Sequence, residues 1–143
     1  MKLLKFLQIH HSEKNVSFEK NYEADPLILG DAVQLQQVLI NIFENALQAL
    51  KANGPAKPYI KVKITQSDTH AIVLVEDNGG GIHPDYLPVL FELYETTKDD
   101  GGGVGLWLCR TIIEKHGGTI TANNIAHAGA QLKIELPLIG SPV

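Results

Sequence analysis

Apolar and polar positions change period several times along the chain, and each change marks an expected element. Between residues 32 and about 51, Leu35, Val38, Leu39, Ile42, Phe43, Ala46, Ala49 and Leu50 recur three or four apart. That spacing lays one continuous apolar stripe along a helix. Asp31 suits its N-cap, and Asn53-Gly54-Pro55 suits its end. Residues 16–22 alternate apolar and polar, as a half-buried strand does, and Leu27-Ile28-Leu29 reads as a brief buried strand. In 59–66, Ile60, Val62 and Ile64 alternate with Lys61, Lys63 and Thr65, which predicts a strand with one solvent face. After a turn at Ser67-Asp68, the run Ile72-Val73-Leu74-Val75 is apolar throughout and predicts a central strand. Residues 77–103 are rich in glycine, proline and charge, with a short helix expected only at 86–92. A helix from about 104 to 115 should end at Gly117-Gly118, and two strands, 119–123 and 131–136, should flank a turn at Gly129. Leu3, Leu4 and Leu7 have helical spacing, so residues 1–11 read as the remnant of a preceding helix or as a linker.

Adjacent strands joined by tight turns, without regular strand–helix–strand alternation, predict an α+β fold. The expected form is a two-layer sandwich: a mixed, mostly antiparallel sheet with helices on one face. We expect one domain over 12–138 and a short tail at 139–143. Apolar residues make up 44% of the 143, enough for a core. The net charge of −4, from 12 basic and 16 acidic residues, argues against a general nucleic-acid binder. The single cysteine, Cys109, excludes an internal disulfide and suggests a reducing compartment. No apolar run approaches the ~20 residues that span a bilayer, so a cytoplasm-type domain without membrane contact is expected.

Three features point to chemistry. Gly79, Gly80 and Gly81 form one glycine cluster, and Gly101, Gly102, Gly103 and Gly105 form a second that opens into a helix. Glycines before a helix N-terminus make an anion site possible, although a flexible loop has the same composition. Opposite the apolar stripe of the long helix lie Gln34, Gln37, Asn41, Asn45 and Gln48, with Glu44 beside them. Asn41 and Asn45 are one turn apart. Their amide oxygens suit a hydrated metal ion or a polyphosphate, or else form an amide-rich surface. Asp77 ends the apolar strand beside the first glycine cluster, as a turn aspartate or a ligand contact. A carboxylate only accepts hydrogen bonds, so it suits the exocyclic amine of adenine and opposes the keto oxygen of guanine.

The spacing of these features resembles the catalytic domain of two-component sensor histidine kinases. Gln37-Val38-Leu39-Ile40-Asn41-Ile42-Phe43-Glu44-Asn45-Ala46 is similar to their N box, and Asp77-Asn78-Gly79-Gly80-Gly81-Ile82 to their D-x-G-x-G-I box. Phe91-Glu92-Leu93-Tyr94-Glu95-Thr96-Thr97-Lys98 resembles the F box, and residues 101–106 the G-x-G-x-G-L box. Gly129-Ala130 before a strand ending in Leu136-Pro137 fits as well, so the resemblance covers residues 31–137. Thr96-Thr97-Lys98 and Ile113-Glu114-Lys115-His116-Gly117-Gly118 look most like the nitrogen- and oxygen-sensor subgroup.

The resemblance implies a Bergerat-type ATP-binding fold, shared with type II topoisomerases, Hsp90 chaperones and mismatch-repair ATPases. It implies ATP and Mg²⁺ as cofactors, with Asn45 as metal ligand and Asn41 beside the phosphates. It assigns the adenine amine to Asp77, and close approach of the backbone to the base to Gly79 and Gly81, with Ile82 following. Residues from about 83 to 102 would form an ATP lid. Thr97, Lys98 and the glycine segment Gly101, Gly103, Val104, Gly105 and Leu106 would meet the nucleotide, mainly its phosphates. Asn41, Glu44 and Lys98 are the candidate catalytic-site residues. Glu44 immediately precedes Asn45, so it is rotated by about 100° on the helix and should aim elsewhere. Asn41 is no base, so the isolated chain should hydrolyse ATP very slowly. The implied partners are ATP and ADP, a histidine-containing dimerisation domain of the same kinase, and a downstream response-regulator receiver domain.

The F box departs from the family pattern at Leu93, Tyr94 and Glu95. Glu95, Asp99 and Asp100 add acid to the lid, and Trp107 stands where a small residue is usual. Six histidines show no metal-binding spacing, and His10-His11 lacks the acidic, basic, Asn and Pro residues that follow a phosphoacceptor. A serine kinase of the anti-sigma-factor type and an inactive nucleotide-sensing module are the alternative readings.

Overall fold

The structure is a computed structural model that describes residues 2–3, 15–92, 102–126 and 129–140. Its elements are β1 (Ser17–Tyr22), α1 (Ala32–Asn53), β2 (Tyr59–Gln66), β3 (His70–Asp77), α2 (Gly102–Lys115), β4 (Thr119–Ile125) and β5 (Gly129–Pro137). The sheet order is β1-β2-β3-β5-β4; β1 runs parallel to β2, and every other pair is antiparallel. This is the mixed, mostly antiparallel sheet that the alternation predicts, with α1 and α2 packed on its apolar face.

Helix α1 forms where its stripe and caps require it. The Asp31 carboxylate accepts from the Gln34 N–H at 3.0 Å, and the Gly54 N–H closes the far end on the Leu50 carbonyl at 2.9 Å. Leu35, Val38, Leu39, Ile42, Phe43, Ala46 and Leu50 are buried, whereas Ala49 is only half-buried. They pack on Ile60, Val62 and Ile64 of β2, Val73 and Val75 of β3, and Leu132 and Ile134 of β5 in one core. Helix α2 adds Leu106, Cys109, Ile112 and Ile113 to that core. His116, just past α2, accepts the Asp31 N–H on Nε2 at 3.0 Å and meets the Ile112 carbonyl through Nδ1 at 2.8 Å. The end of α2 is thereby tied to the start of α1.

Five expectations are corrected. β3 is central, but only Ala71, Val73, Val75 and Asp77 face the core; Ile72 and Leu74 are half-buried on the opposite face. The register sets Leu74 between Lys63 and Lys133, and Ile72 between Thr65 and Glu135. The stems of these long neighbours shelter the apolar pair, so no second helical layer is needed. α2 starts at Gly102 rather than near 104, because packing of its apolar face outweighs the poor helix propensity of glycine. In 86–92 only a single 3-10 turn, Leu87–Val89, forms; it buries no residue, so no packing supports a longer helix. Of Leu27-Ile28-Leu29 only Ile28 is buried, and it is held by isolated bridges at 27 and 28 rather than by a strand. Gly129 is no turn residue but the first residue of β5, opposite Ile125. The helical reading of residues 4–11 and the residues Leu93 to Asp100 lie outside the described residues.

Candidate nucleotide-binding site

Strand parity delivers the first site residue. Side chains of β3 alternate, so the inward set Ala71, Val73 and Val75 continues to Asp77 at the strand's end. Asp77 is 4% exposed, and its Oδ1 accepts from the Gly79 N–H at 2.8 Å. Burial raises its pKa; the Gly79 hydrogen bond acts against that shift, and Glu76 adds a smaller upward push. A buried acceptor poised at the edge of the core is the arrangement a polar ligand edge can exploit.

The glycines after it have separate reasons. A Cβ on Gly79 would stand 2.8 Å from the Ala49 backbone and side chain, so α1 and this loop can touch only without one. Gly80 and Gly81 have φ of 95° and 78°, which side-chain-bearing residues rarely adopt. The loop is then tied down by three asparagines. The Asn53 amide, at the end of α1, donates to the Ala49 carbonyl and to the Gly79 carbonyl. Asn78 accepts from the Tyr59 N–H and donates to the Lys57 carbonyl, both at 2.9 Å. Asn124 of β4 accepts from the Ile82 N–H at 2.7 Å and donates to the Ile82 carbonyl at 2.8 Å. Gly129 lies beside Asp77, where an added Cβ would be 2.4 Å from the Asp77 carbonyl oxygen.

Helix α1 is the common wall. Its last turns touch the glycine loop, and its middle faces α2, where the Asn41 amide bonds to the Cys109 thiol. Asn41 also accepts from the Gln37 amide at 2.8 Å. Asn41 and Asn45 are both half-buried on this side. Cys109 is fully buried, which pushes its thiol up to about 11 despite the Asn41 hydrogen bond, so it is no nucleophile at neutral pH. Glu44 is exposed and lines a separate cavity of about 470 Å³ with Asn15, Val16 and Lys51, which Asp77 does not line.

Of the residues singled out from the sequence, Asp77, Gly79, Gly81 and Ile82 share one loop, and Asn41 and Asn45 share one side of α1. Gly103, Val104, Gly105 and Leu106 occupy the first turns of α2, with Leu106 buried; the side chain of Val104 is outside the described set. Thr97, Lys98 and Gly101 lie outside the described residues. Sequence reasoning missed Asn53, Asn78 and Asn124 as site residues. A weak signal existed: Asn123-Asn124 within a strand is unfavourable by propensity, and such residues usually have a specific partner.

Similarity to known proteins decides the family. Residues 30–140 match the family described as histidine kinase-, DNA gyrase B- and HSP90-like ATPase. The chain belongs to this family. Sensor protein FixL of Bradyrhizobium diazoefficiens is 41% identical over 128 residues, which are 87% of this chain and 25% of that protein. Sensor histidine kinase ZraS of Salmonella typhimurium is 42% identical over 113 residues, 78% of this chain and 23% of that protein. The chain thus spans about a quarter of the length of these relatives. The solved catalytic domain of histidine kinase ThkA, in a nucleotide-free form, superposes with a TM-score of 0.75 at 32% identity, covering 87% of this chain and 80% of that one. A mycobacterial sensor histidine kinase, MprB, has the same fold, with a TM-score of 0.81 at 23% identity over the whole chain. The chain is therefore an ATP-binding domain of the sensor-histidine-kinase kind. Among the described residues no helix is long and apolar enough to cross a membrane.

Proposed function

We propose that this domain binds Mg-ATP and transfers its γ-phosphoryl group to a histidine imidazole on a separate dimerisation domain. The phosphoryl group would then pass to a response-regulator receiver domain, in the cytoplasm and without nucleic acid or membrane contact by this domain. The observation that carries the reading is Asp77: a buried, acceptor-only carboxylate fixed beside a glycine loop, suited to the adenine amine. Gly79, Gly81 and Ile82 give the base a backbone edge to lie against. The donor set of α1 fits a hard cation, because Asn45 offers a neutral amide oxygen one turn from Asn41. Bound Mg²⁺ would neutralise charge on the phosphates. Asn41, Thr97, Lys98, Gly101, Gly103, Val104, Gly105 and Leu106 form the phosphate end of this reading.

In the transfer, the bond between the γ-phosphorus and the β,γ-bridging oxygen breaks, ADP leaves, and a phosphorus–nitrogen bond forms on the incoming imidazole. Such a step depends mainly on positioning and charge neutralisation. Glu44 lines another cavity and Asn41 is an amide, so neither is a base for water, and the incoming histidine must be the nucleophile. The test is incubation of the chain with Mg-ATP, alone and with a dimerisation hairpin from a related kinase. We expect very slow hydrolysis alone and acid-labile, base-stable phosphohistidine on the hairpin. Rapid hydrolysis, or label retained on His10 or His11, would overturn the reading. Nucleotide binding without transfer would leave a nucleotide-sensing module.

A further inference from the structure

We propose that Asn124 is a positioning residue for the adenine end of the site, acting through the backbone of Ile82; the inference rests on the adenine-nucleotide reading of Asp77. Asn124 sits on β4, at the edge of the sheet, far from Asp77 in sequence. Its amide meets both polar groups of one residue, accepting the Ile82 N–H at 2.7 Å and donating to the Ile82 carbonyl at 2.8 Å. That is the pairing a neighbouring strand would give a residue in an antiparallel ladder, here supplied by one side chain. Gly81 packs against the same amide: a Cβ on Gly81 would lie 3.0 Å from the Asn124 Oδ1.

The position of this clamp gives it a consequence for binding. Residues 79–82 are glycine-rich and, with φ of 95° and 78° at Gly80 and Gly81, have a wide range of alternative conformations when unrestrained. One end is held by Asp77 and Asn53, through the Gly79 N–H and carbonyl. Asn124 holds the other end. With both ends fixed, the backbone edge that faces the base is preorganised, and the ordering cost is met in folding rather than on binding. Without Asn124 that cost falls on the nucleotide, so affinity drops although no ligand contact is removed.

The test uses the full chain with Asn124→Ala, which removes both bonds, and Asn124→Asp, which keeps the acceptor and loses the donor. Asn123→Ala, an exposed neighbour on β4, is the control. Calorimetry with Mg-ADP should show about tenfold weaker binding for Asn124→Ala, an intermediate loss for Asn124→Asp, and less than twofold change for the control. In transfer to a supplied hairpin, KM for ATP should rise with kcat unchanged, a split that general destabilisation does not produce. The Ile82 amide should be protected from exchange in the free wild type, lose protection in Asn124→Ala, and keep it in Asn124→Asp, whose carboxylate still accepts the Ile82 N–H. If Asn124→Ala does not fold, Asn124→Asp carries the binding comparison through the lost donor to the Ile82 carbonyl. Folded variants that bind ADP as tightly as wild type, or an Ile82 amide whose exchange is unchanged in Asn124→Ala, would overturn this inference alone. A wild-type chain that binds no adenine nucleotide would overturn the nucleotide reading, and this inference with it.

Discussion

Residues 77–82 and residues 83–92 adjoin in the chain but are held by different means. In the first segment, side chains from α1, β4 and β3 itself bond the backbone, through Asn53, Asn124 and Asp77. In the second, the backbone bonds are local: Tyr86 and Leu87 N–H to the His83 carbonyl, Val89 to Tyr86, and Glu92 to Val89. Its 3-10 turn buries no residue, and Tyr86 is 59% exposed, although Leu90 and Phe91 lean on the core. Long-range bonds to rigid elements give a segment the stability of those elements, whereas local bonds let it open by itself. A nucleotide site built this way has a preset base end and an adaptable neighbour.

The strongest way to break the contrast is to spoil the preset end. Gly129→Ala would press a methyl group on the Asp77 carbonyl, and we expect a loss of about 1–3 kcal/mol in denaturant unfolding, with weakened ADP binding. An equally stable variant would mean that β5 and Asp77 can separate without cost. Asp77→Asn should lower ADP affinity about tenfold or more, since a charge-assisted hydrogen bond contributes ~1.5–3 kcal/mol. Its effect on the free protein should have the opposite sign. Burial raises the Asp77 pKa, so the contribution of this group to stability is greatest below the ordinary value of 3.8 and declines as pH rises through the raised value. Free Asp77→Asn should therefore melt at or above the wild-type temperature at neutral pH, and that advantage should shrink in acid. A variant that melts lower at pH 7 while binding normally would reverse the assignment.

A subtler effect concerns the second segment. Amides of 86–92 should exchange faster than those of Gly79 and Ile82 in the free protein, and a non-hydrolysable ATP analogue should slow them more than ADP does. Equal protection by the two nucleotides would show that this segment does not respond to the γ-phosphate. The smallest change expected is on the outer sheet face. Glu19 and Lys61 meet at 3.7 Å with side chains 58% and 48% exposed, so Glu19→Gln should shift stability by less than about 0.5 kcal/mol and leave nucleotide binding unaltered. A larger shift would mark that face as coupled to the site.

Much of this architecture was legible as period and punctuation. The stripe of α1 and the alternation in β2 follow from repeats of 3.6 or 2 acting over a few neighbouring residues, and the caps of α1 from single residues at its ends. The glycines after Asp77 announce a close approach without saying to what. Packing against Ala49, and the left-handed backbone at 80 and 81, became evident only with α1 in place.

The rest depended on tertiary structure because its partners are distant in the chain. Asn124 and Ile82 are 42 positions apart, and Asn53 and Gly79 are 26 apart. A side-chain amide bonding a remote backbone has no period and no fixed spacing, so nothing local distinguishes it from a surface asparagine. The same holds for Ile72 and Leu74, whose apolar character reads as full burial until the register supplies lysine and glutamate stems beside them. The start of α2 was likewise decided by packing, since a glycine propensity cost of about 1 kcal/mol is small beside the burial of its apolar face, whereas the turn at 87–89 buries no residue and has no packing to lengthen it. The sequence by itself determined α1, β2 and the place of Asp77 at the end of an apolar strand, through short-range sterics and hydrophobic period. Only the assembled sheet and helices decided how the loop beside it is held, because those bonds exist once the strands and α1 have brought their asparagines to it.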